Sequence, residues 1–276
     1  MKDELAREYR LRFSPLLEYR SRVWQVLTAS FFQQFVPPGA AVLDLGSGWG
    51  EFINNIKARK KYAMDLNPDG AERVNPDVQF LNQDCSQRWN LDDDSLDLVF
   101  TSNFFEHLRT KDGLSRTLQE AHRCLKRDAP IICMGPNIKY LAGRYWDFWD
   151  HYIPLTEQSL AELLGLRGFT VERCWPKFLP YTMVNKTALP LFLVKIYLQL
   201  PWMWKVLGKQ FLVVARATKD APVGNSTAKA MNNPDQFSSL DSYTLVTNEL
   251  NVTPSPGDHM SKRNTVMSLA RPEDVR

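Results

Sequence analysis

Histidine and cysteine are scarce in this chain, with four of each among 276 residues. Cys85, Cys124, Cys133 and Cys174 include no Cys-x-x-Cys pair, and their wide spacing fits neither a zinc site nor a disulfide framework. They read as reduced thiols, which suits a cytoplasmic protein. Excess charge is also lacking. The net charge is +3, so composition implies no broad nucleic-acid-binding surface, and no nucleic-acid partner is expected. The opening residues 1–13 interleave charged with apolar side chains and do not read as a secretory signal. No internal repeat is present. Acidic residues are missing from one long stretch: between Arg173 and Lys219 there are eight Lys or Arg and no Asp or Glu.

What remains is an ordinary globular composition, 44% hydrophobic and 24% charged. The length suits one large α/β domain with extensions. Leu16, Leu17, Tyr19, Val23, Trp24, Val26, Leu27 and Phe31 recur at helical spacing, so residues 1–39 read as a helical extension closed by Pro37-Pro38-Gly39. From Ala41 onward, short apolar strands alternate with helices. The spacing predicts strands over Ala41–Leu45, Tyr62–Asp65, Val78–Leu81, Leu96–Thr101 and Pro130–Met134, and two more over Phe169–Trp175 and Gln210–Ala217. Helices are predicted over Glu51–Lys57, Gly113–Leu125 and Thr156–Leu164, the last capped by Thr156 and Ser159. Such alternation implies a mainly parallel sheet covered on both faces, in a domain spanning residues 40–217. Residues 218–276 are rich in Ser, Asn, Asp, Thr and Pro and read as a disordered tail.

The sharpest motif is the run from Val42 to Phe52, in which an apolar strand enters Gly46, Gly48 and Gly50. Glycines let backbone amides approach a ligand, and a following helix start offers unpaired N–H groups. A dinucleotide loop needs G-x-G-x-x-G. Here the third glycine comes one residue early and Glu51 takes its place, where a carboxylate repels a pyrophosphate. Asp65 ends the second strand, about twenty residues on, where it can accept both ribose hydroxyls. Asp84 follows the third strand and can face an adenine amino group. All three features lie at carboxyl ends of strands, the ligand-binding edge of an open α/β sheet.

These residues resemble the class I S-adenosylmethionine-dependent methyltransferases. Asp44-x-Gly46-x-Gly48-x-Gly50 matches the first motif of that family, Asp65 its ribose-binding acid, Asp84 its adenine-side acid, and Leu96–Leu108 its fourth-strand motif. Cys124–Pro130 is similar to the turn before the fifth strand, with Arg127 and Asp128 in place of the usual Pro and Gly. The resemblance implies a Rossmann-like seven-stranded sheet with its last strand antiparallel and S-adenosyl-L-methionine as cofactor. It implies cofactor contacts from Asp44, Gly46, Ser47, Gly48 and Gly50 in the loop. Asp65 with Leu66, Asp84 with Cys85, and Ser102 complete that implied set.

Methyl transfer to a hydroxyl benefits from alignment and from a base. His107 follows the fourth strand, where the family places acceptor-facing residues; the alternative is that it orients the loop against Glu106. Some quinone-precursor O-methyltransferases hold a metal through Glu-x-x-Glu-His at this place. Asn103 replaces the first Glu here, so no metal is expected. The segment Arg144–Pro154 holds five aromatic residues, two Asp, one Arg and one His. Its aromatic faces can stack on sugars, while Asp150 and His151 can bond or deprotonate hydroxyls. The alternative is a packed aromatic lid with His151 satisfied internally. His107, His151 and Asp150 are thus the candidate catalytic residues.

Residues 176–209 form an apolar, basic insertion. Pro190, Lys195, Gln199 and Pro201 interrupt it, so it falls short of the ~20 apolar residues that span a bilayer. Trp202, Trp204 and the nearby lysines suit an anionic membrane interface, or else a face buried in the core or in a dimer. Gly135-Pro-Asn137, Phe148–Thr156 and Gly208–Arg216 look like bacterial methyltransferases associated with surface-polysaccharide assembly. That resemblance implies methylation of a glycan or lipid-linked sugar. Transfer to a small molecule or quinone-like lipid, or a non-catalytic cofactor-binding scaffold, are the alternatives.

Overall fold

The computed structural model describes residues 17–181 and 190–219. The predicted tail and the first sixteen residues of the helical extension lie outside them. Helix α1 (Leu17–Ser30) leads through a 3-10 turn (Phe32–Phe35) into strands β1 (Ala41–Leu45), β2 (Lys60–Met64), β3 (Val78–Leu81) and β4 (Leu98–Ser102). Helix α2 (Lys111–Cys124), β5 (Pro130–Pro136), helix α3 (Glu157–Leu166) and β6 (Phe169–Trp175) follow. Two short helices, α4 (Leu191–Gln199) and α5 (Pro201–Leu207), then precede β7 (Gln210–Ala217). The strands form one seven-stranded sheet in the order β3-β2-β1-β4-β5-β7-β6. Pairing is parallel from β3 through β5, and β7 runs antiparallel to both β5 and β6. The expected Rossmann-like sheet with its antiparallel last strand is the observed one.

Residue alternation sorts the strands onto two cores. Leu43, Ile131, Cys133, Val213 and Ala215 face α2 and α3, meeting Leu118, Ala121, Leu160 and Leu164. Their neighbours Val42, Ile132, Leu212 and Val214 face the opposite layer, built from α1, α4 and α5. A period of two, with both sets apolar, is what a sheet covered on both faces requires. Aromatic rings fasten α1 to the sheet: Trp24 and Phe32 both meet Phe100 edge-on, and Phe52 stacks on the same ring at 3.8 Å.

Side-chain caps set the helix starts. Thr110 Oγ1 accepts from Gly113 N at the head of α2, and Thr156 and Ser159 form a reciprocal capping box at α3, as their spacing predicts. Glu51–Lys57 differs from prediction. It forms consecutive turns instead of a regular helix. Gly50 enters it with φ +74°, and the Asn54 and Asn55 side chains bond the carbonyls of Arg73 and Glu51, so side-chain bonds compete with the helical ladder. In the insertion, Trp204 follows the alternative reading, burial in the core. Proline breaks the insertion into α4 and α5, and Trp204 is core rather than interface: it is 5% exposed, its indole donates to Tyr197 O at 2.9 Å, and its ring meets Phe31, Trp175 and Phe178 edge-on. Trp202, two residues earlier, is 63% exposed. The four cysteines are free, and three are buried.

Candidate functional site

Glycine geometry shapes the turn after β1. Gly46, Gly48 and Gly50 have φ of +70°, +53° and +74°, values that residues with a Cβ rarely adopt. At Gly46 an added Cβ would lie 2.1 Å from the Phe104 ring, so the loop after β4 packs directly on the glycine loop. Asp44 is 4% exposed and accepts from Ile53 N at 3.3 Å. Burial drives its carboxyl well above the usual range, and the nearby Glu51 charge adds to the rise. Glu51 itself is paired with Arg20 of α1 at 2.7 Å, so the N-terminal helix neutralises the acid that sequence reading set against a phosphate.

Asp65 ends β2 beside this turn. Its carboxylate accepts from Gly48 N and Asn67 N, both at 2.8 Å. Burial raises its pKa; the backbone N–H groups of Asn67, Gly48 and Leu66, and the His107 charge, oppose that rise. Leu66 is half-buried next to it. Asp84, after β3, accepts from both the backbone N–H and the hydroxyl of Ser86 at 2.8 Å. The Cys85 thiol turns inward, where Thr117 donates to it and burial pushes its pKa up to about 12. Ser102 closes β4, its hydroxyl accepting from Asn103 Nδ2 at 3.0 Å.

This edge fits a polar cofactor bearing positive charge. Ser47 Oγ, Asn67 Nδ2 and Asn103 Oδ1 are buried without a hydrogen-bond partner among the described residues. Buried polar atoms normally have partners, so three orphans at the carboxyl ends of β1, β2 and β4 suit a bound ligand. The neighbouring Asp65, whose carboxylate accepts two backbone bonds, favours a cationic group over a phosphate. A polar cleft of about 500 Å³ lined by Arg59, Lys60, Arg88 and Lys126 opens at the opposite, amino-terminal edge, away from these residues.

A second cluster adjoins the first. The short turn Phe105–His107 carries Glu106 and His107, and the segment before α3 carries Asp150 and His151. Backbone bonds from Tyr152 N and Ile153 N to Glu106 O, at 2.8 and 3.2 Å, tie the two segments together. His107 Nδ1 lies 3.1 Å from Asp150 Oδ2 and 3.0 Å from Asp150 O. Burial pulls the imidazole pKa down, but Asp150 and Glu106 outweigh it and the net shift is upward. Glu106, 1% exposed, is pushed up to about 7 by burial. His151 is 6% exposed, stacked on Phe148 and edge-on to Tyr145 and to His107, 4.9 Å away. The lid's inner rings are packed, as the alternative reading expects, while Trp146, Trp149 and Tyr152 are 52%, 86% and 43% exposed.

Sequence reading selected His107, Asp150 and His151, and the structure brings them together. It passed over Glu106 as a site residue. The available signal was its place inside an otherwise apolar turn, beside His107.

The profile of the methyltransferase-domain family matches residues 16–173. The chain belongs to that family. This methyltransferase also resembles solved structures in fold. A chain from the complex containing the Haloferax volcanii Trm112 methyltransferase activator superposes with TM-score 0.58 and 18% identity, covering 80% of this chain and 99% of that one. A SAM-dependent methyltransferase from Archaeoglobus fulgidus gives TM-score 0.54 at 18% identity, with 74% and 98% covered. A TehB-like SAM-dependent methyltransferase from Corynebacterium glutamicum gives 0.50 at 18%, with 79% and 100% covered. No curated protein matches the chain in sequence. Family membership and the fold make this a SAM-dependent methyltransferase, with S-adenosyl-L-methionine as its cofactor.

Proposed function

We propose that the methyltransferase transfers its methyl group to a hydroxyl of a glycan or lipid-linked sugar. The observation that carries this reading is the His107–Asp150 pair, set under an aromatic lid and beside the Phe104 contact with the glycine loop. Bound S-adenosyl-L-methionine supplies a methyl group activated on a sulfonium sulfur. Ser47, Asn67 and Asn103 would offer it their orphan polar atoms, and Asp65 would accept from its ribose hydroxyls. Asp150 holds His107 Nδ1 as the N–H tautomer and leaves the Nε2 lone pair for the acceptor's proton. Glu106 and His151 stand within 4.8 Å of His107. Trp146, Trp149 and Tyr152 present broad apolar faces to solvent, the kind of surface on which sugar rings stack.

The lipid part of the proposal rests on α4 and α5. Phe192, Ile196, Trp202 and Val206 are 63%, 44%, 63% and 68% exposed, and Lys195 and Lys205 flank them. Among the described residues, no helix is long and apolar enough to cross a membrane. An apolar face in a segment without acids suits peripheral contact with an anionic bilayer on the cytoplasmic side.

Labelled S-adenosyl-L-methionine incubated with glycan and membrane-lipid extracts tests the reading. Label is expected in an alkali-stable ether on a sugar. His107→Asn is expected to slow turnover by about 10²–10⁴-fold with cofactor affinity unchanged. Label confined to amines, or undiminished turnover in that variant, contradicts the reading. Flotation with anionic vesicles tests the lipid surface: replacing Phe192, Trp202 and Val206 by Ser is expected to abolish binding, and equal flotation of wild type and variant removes that surface from the account.

A further inference from the structure

Glu106, His107 and His151 offer one donor atom each, and these atoms all lie within 4.8 Å of one another. No short motif contains this set. Glu106 and His107 come from the turn after β4, whereas His151 is delivered by the lid. The expectation of no metal rested on Asn103 within the local motif, and His151 supplies the third donor from outside it.

Three features make the cluster more than a chance meeting. Glu106 and His151 are 1% and 6% exposed, so a carboxylate and an imidazole face each other away from water. Glu106 Oε1 lies 3.9 Å from His107 Nε2, too long for a hydrogen bond but close enough for both to reach one ion. His107 Nδ1 is held by the Asp150 carboxylate and carbonyl, which directs the Nε2 lone pair toward Glu106. A carboxylate behind the far ring nitrogen is the arrangement that orients metal-ligating histidines. Phe148 and Tyr145 clamp the third donor's ring on two sides.

We propose that Glu106, His107 Nε2 and His151 bind a divalent transition-metal ion, with Asp150 as the positioning residue behind His107. Two imidazoles and one carboxylate suit zinc, cobalt or nickel better than magnesium, which takes oxygen ligands. Bonds of about 2.0–2.1 Å to a tetrahedral ion place donors about 3.4 Å apart, so closing the set from 4.8 Å needs side-chain shifts of about an ångström. Three protein donors leave a fourth position open, and this end of the pocket is where the proposed function puts the acceptor hydroxyl. A cation there stabilises negative charge on the acceptor oxygen, and the hydroxyl proton then leaves to solvent instead of to His107.

Chelator-treated full-length protein is titrated with Co²⁺, followed by calorimetry and by visible absorption. One equivalent is expected to bind with the spectrum of nitrogen-ligated cobalt. His151→Gln and Glu106→Gln are expected to weaken it at least about 100-fold, and Asp150→Asn by about 10–100-fold. His122→Ala, whose imidazole lies at Thr218 O outside the cluster, leaves it unchanged. Cofactor binding by each variant, read separately, shows that the fold persists. Absence of cobalt binding, or equal binding by wild type and both Gln variants, overturns the site. Methyl transfer to a sugar by metal-free protein that also fails to bind cobalt would sink the metal site and spare the proposed function. Cobalt binding without transfer to any hydroxyl would support the site and sink that function.

Discussion

Asp65 is the residue on which the proposed cofactor end turns. Its carboxylate bridges Gly48 N and Asn67 N, so the end of β2 and the glycine loop are fastened through one side chain. Backbone donors of this kind oppose the rise that burial causes in the carboxylate's pKa. Gly48 supplies one of those two bonds. Its φ of +53° disfavours most residues with a Cβ, though Asp94 and Asp128 adopt similar values, so the effect of Asp here comes from a second carboxylate placed beside Asp65. Gly48→Asp is therefore expected to weaken S-adenosyl-L-methionine binding on the order of a hundredfold, about 3 kcal/mol, by titration calorimetry. Unchanged affinity in a folded variant contradicts this placement of the loop.

Elements carry the difference between what was legible in the chain and what was not. Strands β1, β4 and β5 were legible because Val42, Leu43, Val99, Ile131 and Ile132 make apolar runs bounded by turn residues. The α3 start was legible because Thr156 and Ser159 cap locally. The fates of Trp202 and Trp204 were not, because one break at Leu200–Pro201 decides which face of α5 meets the core. Trp204→Ala is expected to cost about 3–5 kcal/mol in urea unfolding, and Trp202→Ala less than about 0.5; equal costs contradict the packing. Likewise, Asp150 meets His107 across 43 residues of chain, a distance no motif spans.

The start of β1 is pinned by Asp97, whose carboxylate accepts from Ala41 N at 2.8 Å and pairs with Lys126 at 2.7 Å. Burial pushes its pKa up, but Lys126 and the Ala41 N–H prevail and hold it below the ordinary value. A lowered pKa adds stability that is complete above the unfolded-state value and fades as pH falls through the folded-state value. Asp97→Asn is expected to destabilise by at most about 1 kcal/mol at pH 7, with the gap closing below roughly pH 4. A gap constant from pH 7 to pH 3 contradicts the ionic contribution.

At the scale of the described fold, the sheet brings two sets of residues to one edge. Ser47, Asp65 and Asn67 stand at the carboxyl ends of β1 and β2, and Glu106, His107, Asp150 and His151 stand just beyond β4 and β5. The Phe104–Gly46 contact and the reach of the His107 charge to Asp65 join the two sets. Methyl transfer needs that adjacency, since the sulfur, the methyl carbon and the acceptor oxygen must fall in line. The most direct test is a crystal structure with S-adenosylhomocysteine. The ribose hydroxyls are predicted on Asp65 and the sulfur facing the His107–Asp150 pair. A nucleoside seated on Asp65 with its sulfur turned away from that pair, or bound at another edge, contradicts the account.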